Sequence, residues 1–108
     1  MRLNLKATNI SLNDDIRSYL ERRLSNLGKL IDVEDPAVLI DVELGRSTKH
    51  HQSGDIFFAE INIHRGKEAF RAVSNRPDLK SAIDDMLVSV FIDPSFGRVI
   101  FIEGQVKG

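Results

Sequence analysis

Val38, Ile40, Val42 and Leu44 occupy every second position of one short stretch, alternating with Leu39, Asp41 and Glu43. A period of two defines a strand with one face buried and the other in water. Such a strand is not stable alone: it needs partner strands and an apolar layer over its buried face. The remainder of the chain must supply both.

Partner strands are legible on either side. Leu3, Leu5 and Ala7 alternate with Arg2, Asn4, Lys6 and Thr8. From Ile56 to His64, Phe57, Ala59, Ile61 and Ile63 fall on one face, and Ile56, Phe58, Glu60, Asn62 and His64 on the other. A further strand is predicted over Glu68–Val73. It is joined to the preceding one by Arg65-Gly66-Lys67, a hairpin connection in which the glycine takes a positive φ. The strand containing Val38 is expected to end at Gly45, and residues 46–54, which include no apolar side chain, read as a polar, basic loop.

Two helices supply the layer. Asn13 is a suitable N-cap, Asp14 and Asp15 place negative charge at the positive end of a helix dipole, and Ile16, Tyr19, Leu20, Leu24 and Leu27 recur at helical spacing. This predicts a helix from Asp14 to about Leu30, with Gly28 near its end and Pro36 forbidding continuation. Pro77 and Asp78 open a second helix. Its stripe is Leu79, Ala82, Ile83, Met86, Leu87 and Val90, with Ser81, Asp84 and Asp85 facing outward and Pro94 ending it. Val99 to Ile102 reads as one more short strand.

The order β-α-β-β-β-α predicts an α+β fold: a four-stranded mixed sheet with both helices on one face. The first two strands are expected to be parallel with a right-handed crossover, and the later ones antiparallel. The open face would carry Asp41, Glu43, Glu60, Asn62 and His64. At 108 residues, with 42% hydrophobic and 29% charged side chains, the chain has the composition of one soluble domain. That domain is expected over residues 1–93, with 94–108 as a tail. The absence of cysteine removes disulfides and thiolate metal sites and points to a cytoplasmic address. Neither a signal-peptide core nor an apolar run of about 18 residues is present, so no membrane partner is expected.

The net charge of −1 conceals an uneven distribution. Residues 46–80 hold 7 basic and 4 acidic side chains, a balance of +3, between two stretches of −2 each, and all three histidines lie there.

Several segments together resemble a known family. They are the opening strand, Tyr19-Leu20-Glu21-Arg22-Arg23-Leu24, Gly54-Asp55-Ile56-Phe57-Phe58-Ala59-Glu60-Ile61, Phe70-Arg71-Ala72 and Asp78-Leu79-Lys80-Ser81-Ala82-Ile83-Asp84. In this order they resemble the ribosome hibernation promoting factors, also called ribosome-associated inhibitors or sigma-54 modulation proteins. The resemblance runs from Met1 to about Leu87. It implies a fold similar to the double-stranded RNA-binding domain, and a non-enzymatic stress-response protein. Such a protein occupies the messenger and transfer RNA path of the small ribosomal subunit, inhibits translation and promotes hibernation. The implied partners are the small subunit and its ribosomal RNA, with no cofactor and no small-molecule substrate. Two differences from the family pattern reduce positive charge: Ser89-Val90-Phe91-Ile92-Asp93-Pro94 stands where family members continue a basic helix, and Asn26 stands where lysine is common. The remaining 21 residues are too few for the dimerisation domain of long family members.

Candidate RNA contacts follow from the basic side chains. Arg22 and Lys29 point away from the apolar face of the first helix, and Arg23 lies at its margin. Lys49, His50 and His51 stand in the polar loop, Arg65 and Lys67 at the hairpin, and Arg71, Arg76 and Lys80 around the last strand and the second helix. Cations hold phosphates by charge, and arginine also by a two-pronged fork. On spacing alone these residues read as an ordinary solvated surface; the resemblance makes RNA the better reading. Consecutive histidines do not converge on one ion, so a metal-dependent hydrolase built on His50, His51 and His64 is set aside. No nucleotide-binding loop or nucleophile–base pair is present. The alternative to RNA binding is a protein-interaction module, weakly dimerising through residues 99–102.

Overall fold

The structure, a computed structural model, describes residues 2–27, 36–47 and 56–92. Six elements follow in order: β1 (Arg2–Thr8), α1 (Asp14–Leu27), β2 (Val38–Arg46), β3 (Phe57–Arg65), β4 (Glu68–Arg76) and α2 (Leu79–Ile92). They form the α+β arrangement expected. The strands make one sheet in the order β1-β2-β3-β4, with β1 parallel to β2 and the remaining pairs antiparallel. Residues beyond Leu27 expected in the first helix, and the strand expected over Val99–Ile102, lie outside the described residues.

Register explains the core. Leu3 stands beside Ile40, which faces Ile63, which faces Phe70; Leu5, Val42, Ile61 and Ala72 form the next row. These rows lie on the buried face, together with Leu20 and Leu24 of α1 and Ala82, Ile83, Met86, Leu87 and Val90 of α2. Both helices cover this face and the other is open, as the alternation in β2 requires.

Side-chain caps start both helices. Asn13 Oδ1 accepts the Ile16 amide at 2.9 Å, and Asp78 accepts the Ser81 amide at 2.9 Å and the Ser81 hydroxyl at 2.7 Å. Each satisfies an amide that the first helical turn leaves without a partner. Asn13→Ala is therefore expected to destabilise the fold by about 1 kcal/mol, and Asn13→Asp to restore most of that, as read in urea melts.

Strand ends differ from the sequence expectation. β2 continues past Gly45 to Arg46, and the Ser47 amide bonds the Ile56 carbonyl at 2.8 Å. β4 runs to Arg76 rather than Val73. Its inward alternation continues through Ser74, a polar residue buried because its hydroxyl donates to Asp85 at 2.7 Å. At the other end of β4 the hairpin glycine, Gly66, adopts φ +59° as predicted.

Candidate nucleic-acid interface

Both helices run antiparallel to β1 and β2, so their N-termini lie at the same end of the sheet and α1 lies beside α2. Along their seam, residues far apart in sequence meet. The Tyr19 hydroxyl donates to Asp84 Oδ1 at 2.6 Å, and Arg23 Nε lies 3.0 Å from the same oxygen. The hydrogen bond to Asp84, with burial, holds the Tyr19 phenol above its ordinary value of 10.0. Arg22 and Lys80 flank the Tyr19 ring, 5.9 and 5.2 Å from its centroid. Such cation–π contacts steer flexible cations toward one place. Lys80 Nζ also lies 2.9 Å from Asp15, and Arg76 lies 3.1 Å from Asp85.

The candidate cations do not form one cluster. Arg22, Arg23, Arg76 and Lys80 line the helical side. Arg65 and Lys67 sit at the opposite end of the sheet, at the hairpin, where Arg65 pairs with Glu68 at 2.7 Å. Arg71 does not join Arg76 and Lys80. Odd positions of β4 point to the open face, where Arg71 grips both oxygens of Glu60 at 3.2 Å. Lys29, Lys49, His50 and His51 lie outside the described residues. Nor are the helices net basic. In α1, Asp14, Asp15 and Glu21 balance Arg17, Arg22 and Arg23, and α2 carries Lys80 against Asp84 and Asp85. Arg22 and Lys67 form no ion pair among the described residues.

Arg22 belongs to a strip of hydrogen-bonding side chains on the outer surface of α1, with Ser18, Glu21, Ser25 and Asn26. Beside the Glu21 carboxylate, the cation with its hydroxyl and amide neighbours suits a backbone of phosphates and 2′-hydroxyls, which are read by charge and shape rather than by base edges. The open sheet face is different in character. Asn4 donates to Asp41 at 2.8 Å, Thr8 to Glu43 at 2.6 Å and Asn62 to Glu60 at 3.0 Å, so its polar groups satisfy one another. Among the described residues no group of three or more histidine, cysteine or acidic side chains is arranged to hold a metal ion. No helix there is long and apolar enough to cross a membrane.

These carboxylates give the fold an acid limit. Hydrogen bonds from Arg71 and then Asn62 hold Glu60 below its ordinary 4.5. Ser81 holds Asp78, and Ser74 with Arg76 holds Asp85, below 3.8. A depressed carboxylate stabilises the fold fully above its unfolded value and loses that contribution as pH falls through the lower folded value. The melting temperature should therefore be level above about pH 5 and fall below pH 4.5, and Glu60→Gln should reduce the size of that fall.

Compared with known families, residues 3–90 match the one described as Sigma 54 modulation protein / S30EA ribosomal protein. The chain belongs to this family. The match begins inside β1 and ends inside α2, so the family signature covers the sheet and both helices. No curated protein matches the chain in sequence. Among solved structures, the chain is similar to the N-terminal domain of Protein Y from Thermus thermophilus. The TM-score is 0.66 at 22% identity, over 94% of this chain and 99% of that one. It is also similar to a ribosomal subunit interface protein from Coxiella burnetii, with a TM-score of 0.67 at 10% identity, over 96% and 99% of the two chains. At these identities the likeness concerns the fold.

The seam was hidden from sequence reasoning. Tyr19 reads as one more member of an apolar stripe, and only the side-by-side packing of α1 and α2 shows that it meets an aspartate 65 positions away.

Proposed function

We propose that this chain is a cytoplasmic, non-enzymatic ribosome-binding protein that silences translation by occupying the messenger and transfer RNA path of the small subunit and so promotes hibernation. The observation that carries the reading is family membership across residues 3–90, which span the whole described fold. One structural neighbour, a ribosomal subunit interface protein, agrees with it. The mechanism is steric. Phosphate contacts supply salt-dependent affinity, the shape of folded RNA selects the site, and the body of the domain excludes other occupants.

Arg22 is the proposed central contact, with Lys80 beside it across the Tyr19 ring. Arg23 borders the same seam, Arg76 lies on the β4 side of α2, and Arg65, Lys67 and Arg71 are more distant contacts. Lys29, Lys49, His50 and His51 complete the proposed set. Charge reversal tests it: Arg22→Glu is expected to weaken cosedimentation with ribosomes about tenfold or more at low salt and to flatten its salt dependence. Unchanged binding would exclude α1 from the interface.

A second reading, a protein-interaction or dimerisation module with weakened RNA affinity, is favoured by the pairing of Arg23, Arg76 and Lys80 with carboxylates. Monomeric behaviour at high concentration together with ribosome binding would remove it.

A further inference from the structure

Three cations of the helical side are paired with carboxylates, and two of those carboxylates are held independently of them. Lys80 meets Asp15, Arg23 meets Asp84 and Arg76 meets Asp85, at 2.9, 3.0 and 3.1 Å. Were these carboxylates mere companions of the cations, each would be free to swing away when a phosphate arrived. Asp84 and Asp85 are not. Asp84 accepts the Tyr19 hydroxyl at 2.6 Å from the neighbouring helix, and Asp85 accepts the hydroxyl of buried Ser74 at 2.7 Å from β4. Uncharged donors on other elements therefore fix two negative charges where RNA would lie.

We propose that Asp15, Asp84 and Asp85 are specificity determinants of the interface, rejecting RNA at large while admitting a folded RNA surface that sets donor groups opposite the carboxylates. This inference rests on the ribosome-binding reading and adds a discriminating role to it. The side chains of these ion pairs are partly exposed, so each pair contributes little stability and its cation is exchangeable. The cost to a ligand lies in the fixed carboxylates. A regular duplex presents phosphates at close, even spacing and meets repulsion wherever one falls against a fixed carboxylate. A folded ribosomal site can place phosphates at Arg22, Lys80 and Arg76, and 2′-hydroxyls or base amino groups at the acids, which accept hydrogen bonds from them. Repulsion aimed at the wrong partner is a recognised source of selectivity. The same device accounts for an RNA-binding fold in a chain whose net charge is −1.

The test compares the full chain with the variant Asp15→Asn/Asp84→Asn/Asp85→Asn. The substitutions keep side-chain size and leave an amide oxygen for the Tyr19 and Ser74 hydroxyls. Binding to a generic RNA duplex and to purified small subunits is measured across a salt series, with circular dichroism checking the fold. The triple variant should bind the duplex at least about tenfold more tightly, with a steeper salt dependence, while its affinity for small subunits rises much less or falls. Should the triple variant fold poorly, Asp84→Asn alone, at a side chain 42% exposed, reads the same effect at smaller size. Unchanged duplex binding, or equal gains on both RNAs, overturns the inference and leaves the ribosome-binding reading intact if the parent chain still binds subunits. A parent chain that binds no subunits overturns both.

Discussion

Leu20→Ala is expected to destabilise the protein by about 3 kcal/mol, within the range of about 2–5 kcal/mol for truncating a buried leucine. Leu20 is fully buried, and with Leu24 it is the part of α1 that enters the core; Ile16 and Tyr19 are only partly covered. By contrast, α2 contributes Ala82, Ile83, Met86, Leu87 and Val90. The loss therefore falls unevenly. Amide exchange should accelerate in α1 before α2, because α1 retains little else to hold it against the sheet. Ribosome binding should weaken as well, since Tyr19, Arg22 and Arg23 lie on the same two turns of helix. Leu20→Met, which conserves volume, should cost less than about 1.5 kcal/mol. A loss below about 1 kcal/mol for the alanine variant in urea melts would show that α1 is not anchored as described.

Gly45→Ala is the second substitution with a large expected effect, about 2 kcal/mol of destabilisation. Gly45 lies on the open face of β2, between Thr8 of β1 and Phe58 of β3. A Cβ there would fall 2.6 Å from two ring carbons of Phe58 and 2.7 Å from the Thr8 carbonyl oxygen. The ring can turn aside; the carbonyl belongs to the β1–β2 ladder and cannot. The pair of obstacles gives the prediction its form: adding Phe58→Leu to Gly45→Ala should recover only part of the loss. Full recovery would mean that the ring alone requires glycine. No change in melting temperature for the single variant would contradict the close approach of the strands.

The fold was largely legible because its signals are local. The alternation in Val38–Leu44 fixes a half-buried strand, Asn13 and Asp78 mark helix starts, and the stripe Leu79 to Val90 marks the buried side of α2. Each depends on residues a few positions apart, where sequence spacing and spatial neighbourhood coincide. Failures occurred where a distant partner decides the outcome. The last strand was expected to stop at Val73, yet Asp85 satisfies the inward Ser74 hydroxyl and the strand continues. Arg71 looked like a neighbour of Arg76, yet the two-residue period of β4 sends them to opposite faces.

The candidate interface was legible in part. Arg22 reads correctly as an outward residue of α1 and Arg23 as a marginal one, although the Arg23 Nε is buried against Asp84 rather than emerging. Sequence spacing did not reveal that the cations are interleaved with acids. Asp84 was expected to face outward from α2; it meets Tyr19 and Arg23 of α1, while Asp85 takes Arg76. Which acid meets which base depends on the relative position of two helices separated by three strands, and no short-range pattern encodes it.

Mutual exclusion on the small subunit tests the central claim most directly. Purified small subunits are loaded with messenger and transfer RNA, and association of the chain is compared with that to empty subunits at equal salt. Competition is the predicted result, with the programmed subunits retaining little of the protein. Equal retention on programmed and empty subunits would place the chain elsewhere and contradict silencing by occupation of the decoding path.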